Sequence, residues 1–149
     1  MMTSKDRATM KTPGLSDDER TAVKQAAAEG RRTKAGKNTE QDVLDAIAAM
    51  AGSDREIAEG LHAVVKRVAP DLVPRTWYGF PAYAKEGKVV LFWQFAAKFS
   101  TRYGHIGFQD GAQLDDGVMW PTAFAVTAWT PQTEKAVEDL VRRATGGST

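Results

Sequence analysis

Apolar positions are sparse at the start of the chain, recur at helical spacing through its middle third, and then alternate or run together. Residues 1–14 are polar and close on Pro13-Gly14, the pattern of a disordered lead. Ser16-Asp17-Asp18-Glu19 follows as a capping box. The Ser16 hydroxyl can accept from the Glu19 amide, the Glu19 carboxylate can reach back, and the aspartates suit the positive end of a helix dipole. The spacing predicts an Ala-rich helix over 17–29 that stops at Gly30. Its apolar anchors are Leu15, Val23 and a few alanines, so weak docking on the body is expected. Residues 31–38 hold no apolar side chain larger than alanine and read as a solvated linker.

Thr39-Glu40-Gln41-Asp42 caps a second helix with Val43, Leu44, Ile47 and Ala51 on one face, stopping at Gly52. A capping box at Ser53-Asp54-Arg55-Glu56 opens a third. There Ile57, Leu61, Val64 and Val68 form a core-facing stripe until Pro70 closes it. These two helices are expected to pack as a hairpin or corner.

From Arg75 the texture turns aromatic and β-branched. Pro81-Ala82-Tyr83-Ala84 suits a strand, Lys85-Glu86-Gly87-Lys88 a hairpin turn, and Val89-Val90-Leu91-Phe92-Trp93-Gln94-Phe95 the strongest strand of the chain. Tyr103-Gly104-His105-Ile106-Gly107-Phe108 and Ala123-Phe124-Ala125-Val126 supply two more, separated by an Asp- and Gly-rich loop over 109–121. Thr130 caps a last helix with Pro131 at its first position, and Val137, Leu140 and Val141 give that helix its buried face. The expected fold is therefore α+β: N-terminal helices, a curved antiparallel sheet of about four to five strands, and a C-terminal covering helix. At 149 residues the chain suffices for one core. The expected division is a flexible basic arm over 1–38 carrying a weakly docked helix at 16–30, a single domain over 39–145, and a disordered tail over 146–149.

Composition changes this picture mainly by exclusion. Hydrophobic residues make up 42% and charged residues 26%, as in ordinary globular proteins. The absence of cysteine removes disulfide scaffolds, thiolate zinc sites and cysteine nucleophiles, and two histidines cannot build a three-histidine metal site. Residues 1–39 carry nine Lys/Arg against five Asp/Glu, a basic arm on a slightly acidic remainder. No window approaches the roughly 18 apolar residues of a membrane span and the start has no apolar signal core, so a cytoplasmic location without membrane contact is expected.

The segments Trp77-Tyr78-Gly79-Phe80-Pro81-Ala82-Tyr83, Gly87-Lys88-Val89-Val90, Lys98-Phe99 and Tyr103-Gly104-His105-Ile106-Gly107-Phe108 resemble the YdhG-like family, bacterial domains of unknown function. Those domains have a Tyr-Gly-Met-Pro-like turn before a hairpin and a Lys-x-His-Ile-Gly-like strand beyond it. The resemblance spans about residues 40–145. Phe80 departs from the commoner methionine, and Ser100-Thr101-Arg102-Tyr103 widens the gap before the histidine strand. The N-terminal helix and the Asp115-Asp116-Gly117-Val118-Met119-Trp120-Pro121 loop look like those of a longer, actinobacterial-type branch. The resemblance implies an α+β domain with a curved antiparallel sheet and no established reaction. A frataxin-like iron role is attached to some members.

All thirteen aromatic residues fall within 77–129. Such density suits a bulky core, and also a groove for a flat or apolar ligand with tyrosine hydroxyls and indoles as orienting groups. Because the strand over 89–95 is apolar on both faces, some aromatics must lie on the face away from the helices. The candidate ligand-binding set is Trp77, Tyr78, Phe80, Tyr83, Trp93, Lys98, Tyr103 and His105, with a bend at Gly79 turning Trp77 and Tyr78 toward different faces.

No nucleophile elbow or second histidine motif accompanies His105, so a structural histidine is expected there, and His62 reads as a boundary residue of its helix. Lys98 and Arg102 could meet an anion. An iron ridge would need carboxylates along one helix face. Asp17, Asp18 and Glu19 are accounted for by capping, and Asp110, Asp115 and Asp116 by turns. Arg31, Arg32, Lys34 and Lys37 would give only salt-screened phosphate contact, so nucleic acid is not the expected partner. The expectation is a non-enzymatic binding domain, monomer or weak homodimer, without cofactor or metal, taking a small molecule or protein partner. A frataxin-like iron chaperone is the alternative.

Overall fold

The computed structural model describes residues 15–34, 36 and 38–147. In chain order these form helices α1 (Asp17–Lys34), α2 (Glu40–Ala48) and α3 (Gly52–Val68), then five strands and a last helix. The strands are β1 (Val73–Trp77), β2 (Phe80–Lys85), β3 (Lys88–Gln94), β4 (Gly104–Phe108) and β5 (Ala123–Val126). A 3-10 turn, Ala96–Phe99, links β3 to β4, and α4 (Pro131–Ala144) ends the fold. The sheet is an antiparallel meander in the order β1-β2-β3-β4-β5, so the fold is α+β.

One sheet face meets α2, α3 and α4. Val43 and Ile47 of α2, Ile57, Leu61, Val64 and Val65 of α3, and Val137 and Val141 of α4 close over Tyr83, Leu91, Trp93, Ile106 and Phe108. The stripe of α3 lies where its 3.6-residue period puts it, with Val68 half-buried at the end. On α2 the stripe narrows to Val43 and Ile47, while Leu44 and Ala51 face solvent. Thr130 caps α4 by accepting from the Thr133 amide at 3.1 Å. Between α3 and α4, Arg67 donates to Glu138 at 3.0 Å.

Three boundaries differ from the sequence expectation. Helix α1 continues through Gly30 to Lys34, so Arg31 and Arg32 are helical, not linker. The Thr33 hydroxyl donates to the Glu29 carbonyl, and Arg32 grips Asp42 at the start of α2 with two bonds of 2.8 and 2.9 Å. Asn38, also expected in a solvated linker, accepts from the Thr76 amide and donates to the Thr76 carbonyl, each at 3.1 Å, as a strand residue would. Gly52 opens α3 instead of ending α2. The Ser53 box does not form, and Asp54 caps the 3-10 turn across the fold by accepting from the amides of Ala96 and Ala97 at 3.0 and 3.1 Å. The expectation of a disordered lead over 1–14 lies outside the described residues.

Strand β1 has no counterpart in the sequence reading. It sits at the sheet edge, where Pro74 can be accommodated because an outward position needs no amide donor. A bulge between Tyr83 and Ala84 of β2 leaves Val90 of β3 without a counterpart, so Val90 and Leu91 both reach the main core.

Candidate functional site

Strand alternation sends a second set of side chains to the opposite face. Phe80, Ala82 and Phe92 are buried there, with Trp77, Tyr78, Val89, Phe95 and Phe99 packed around them. None of the helices α2, α3 and α4 contributes to this cluster. The rings meet mostly edge to face: Trp77 lies 4.9 Å from Tyr78 at 71°, 5.9 Å from Phe80 at 84° and 5.3 Å from Phe92 at 64°. Such crossings set the positive edge of one ring against the negative face of the next. His105 closes the cluster on β4, 6.1 Å from Phe92 at 72°. A side chain at Gly107 would collide with the Phe92 ring, so the absence of a Cβ there lets that ring cross onto β4.

The turn joining β1 to β2 is two residues long, with φ of 54° at Tyr78 and 84° at Gly79. Both residues lie in the left-handed region, as a tight turn matched to strand twist requires. Glycine adopts this region without strain at the second position. The turn does not send Trp77 and Tyr78 to opposite faces, because both pack in the second cluster; a two-residue turn whose outer residue is itself left-handed folds the Tyr78 ring back beside its neighbours.

The eight candidate residues accordingly divide. Trp77, Tyr78 and Phe80 come together, and His105 joins them through Phe92. Lys98 stands on the 3-10 turn beside Phe99 and donates to Gln25 of α1. Tyr83 and Trp93 do not belong to this site. Alternation places both wholly inside the main core, where the Trp93 indole donates to the Asp54 carbonyl at 3.1 Å. Tyr103 is exposed beyond the start of β4, with the Arg102 guanidinium 4.9 Å above its ring.

Glu29, Gln25 and Lys98 form the polar rim of the site, and the two from α1 were not among the candidates. Glu29 is the one charged side chain buried among the described residues; its Oε1 accepts from the Gly79 amide at 2.8 Å, and its Oε2 is buried without a hydrogen bond. Burial pushes the Glu29 carboxyl up from its ordinary value. The Gly79 amide, the Thr76 hydroxyl, the Tyr78 amide and the Arg75 charge pull the other way without reversing it. Burial likewise depresses the Lys98 ammonium, opposed by Glu29 and Asp18. A sequence signal existed: Ala22, Gln25, Ala26 and Glu29 fall on one face of α1, which puts two polar residues where an anchoring helix would carry leucine or valine.

His62 is a bridge between helices and sheet. The Glu40 carboxylate only accepts, so His62 Nε2 carries the hydrogen across 2.9 Å, while Nδ1 is hydrogen-bonded with the Tyr83 hydroxyl, also at 2.9 Å. Lys66 completes the group by holding Glu40 at 3.1 Å, and with His62 it keeps that carboxyl below its ordinary value. Both ring nitrogens are thus engaged in holding the fold.

Among the described residues no three of His, Asp and Glu gather as a metal site, and Asp115 and Asp116 both face solvent. No described helix is long and apolar enough to cross a membrane. Clefts lie elsewhere, among them one of about 310 Å³ at the C-terminal ends of α3 and α4, one of about 500 Å³ between the end of β4 and Trp120, and one of about 430 Å³ between β5 and α4. Compared with protein-family models, with curated proteins and with solved structures, the chain matches none.

Proposed function

We propose that this chain is a binding domain of YdhG-like type that acts without catalysis, holding a flat apolar small molecule or an apolar segment of a protein partner against Trp77, Tyr78, Phe80 and His105. The carrying observation is a sheet with two apolar clusters, only the first of which is layered over by α2, α3 and α4. Aromatic rings supply most of the contact area at little entropic cost, while the His105 ring and the Lys98 ammonium at the rim offer polar or anionic groups of a ligand a partner.

Titration with anilinonaphthalene sulfonate, a flat anionic apolar probe, tests this. The expected result is a shift of the Trp77 indole and His105 ring signals while those of Trp93, buried in the main core, stay in place. Shifts confined to Trp120 and Trp129 would place binding at the α4 side and remove the proposal.

A further inference from the structure

The helix α1 rests on the rim of the aromatic cluster in an unusual manner. Its buried apolar contact is Ala22, whereas Leu15 and Val23 face solvent. By contrast α3 buries Ile57, Ala58, Leu61, Val64 and Val65. What ties α1 down is polar. Gln25 accepts from Lys98 of the 3-10 turn, Glu29 accepts from the Gly79 amide, the Ser100 hydroxyl lies 3.5 Å from Asp18, and Arg32 pairs with Asp42. The first two contacts sit directly over the turn that presents Tyr78, since a Cβ on Gly79 would run into the Gln25 and Lys98 side chains.

Polar anchoring of this kind leaves docking and release close in free energy. A buried hydrogen bond gains little over the same groups solvated by water, and a buried carboxylate with an unsatisfied oxygen loses by burial. The charged groups near Glu29 are Arg75 on β1 and Lys98 on the 3-10 turn, with Asp18 of α1 near Lys98. Lys98 bonds the neutral Gln25 amide oxygen, so the carboxylate keeps its desolvation cost when α1 is seated. An apolar cluster beneath a polar helix has the opposite preference: once uncovered, it gains by being covered again by anything apolar.

We propose that α1 is a releasable strap that controls access to the aromatic cluster, closed when Gln25 and Glu29 are seated over Gly79 and open when the helix lifts from the β1–β2 turn and the 3-10 turn. This rests on the binding role proposed for that cluster and adds its regulation. A ligand that binds only the uncovered cluster shifts the strap toward open, and a weaker strap raises apparent affinity by the fraction opened.

Native-state hydrogen exchange on the full chain, with anilinonaphthalene sulfonate titrations of the wild type and of Gln25→Ala, tests the strap. Amides of α1 are expected to open at least about tenfold more often than those of α3 and with little dependence on denaturant. Gln25→Ala is expected to widen that gap and raise probe affinity several-fold, read at the Trp77 indole. Exchange of α1 only through global unfolding overturns the strap whatever the probe does. Opening of α1 with equal probe affinity in both proteins overturns access control and leaves the binding role standing. No probe effect on Trp77 in either protein removes the binding role, and the gating with it. Should Gln25→Ala fail to fold, Arg32→Ala loosens α1 at its pairing with Asp42, away from the probe contacts, and is read the same way.

Discussion

Tyr78 and Gly79 both adopt positive φ, but only one of them does so without strain. A tyrosine in that region costs on the order of 1 kcal/mol or more, offset here by its contacts with Trp77 and Phe80. Gly79→Ala adds a second strained residue and thrusts a methyl group into Gln25 and Lys98. The expected loss is about 1–3 kcal/mol, seen as a lower urea midpoint; an unchanged midpoint would show that the turn relaxes freely. Glu29 makes a prediction of opposite character. Its carboxyl is raised above the ordinary value of 4.5, so the protonated form is the one the fold favours. The associated stability is fully present below the unfolded pKa and is lost as pH rises through the higher folded pKa. Glu29→Gln retains an oxygen to accept from Gly79 and cannot ionise. Thermal scans from about pH 4 to pH 7 should therefore show the wild type losing stability relative to Glu29→Gln. A constant difference across that range would mean that Arg75 and Lys98 compensate the buried charge in full.

At the scale of elements, Asp54 links α3 to the site by a route that spacing does not reveal. Its spacing from Ser53 and Glu56 predicts a local box, yet its carboxylate caps the 3-10 turn and its carbonyl takes the Trp93 indole. Asp54→Ala should cost about 1–3 kcal/mol, because two amides lose a charged acceptor. It should also broaden the Lys98 and Phe99 signals; a sharp, unshifted 3-10 turn would assign its order to other contacts. Where residues act through period and local capping, the sequence was informative: the stripe of α3, the cap of α4, the β2–β3 hairpin and β5 all lie where expected. Where an element is set by a partner far along the chain, it was not. Strand β1 carries Pro74 and Arg75 and becomes a strand by pairing with β2 and Asn38. Helix α1 passes Gly30 although glycine costs about 1 kcal/mol within a helix, because Glu29 and Arg32 have partners on β1–β2 and α2. The candidate site was legible in part for the same reason. Trp77, Tyr78 and Phe80 are near in sequence and meet, but alternation along β2 and β3 puts Tyr83 and Trp93 on the other face.

For the molecule as a whole, the two apolar clusters have unequal structural weight. The main core draws its buried residues from Val43 onward and takes none from α1. It also holds the internal polar bridge Tyr83–His62–Glu40 that ties sheet to helices. A chain beginning at residue 38 keeps that core, the Thr39 amide bond to Asp42, and the Asn38 pairing that completes the edge of β1. It loses one buried alanine and several polar tethers. Each tether is worth on the order of 1 kcal/mol net and is opposed by the entropy of ordering an entire helix. Such a chain is therefore expected to unfold cooperatively, within about 2 kcal/mol of the parent, with the near-ultraviolet signature of Trp93 unchanged. It is also expected to expose Trp77, giving red-shifted emission and concentration-dependent self-association through the uncovered rings. A truncated chain that loses the Trp93 signature would make α1 a structural member of the core. One that keeps it with Trp77 still shielded would mean that the aromatic cluster closes on itself and needs no cover.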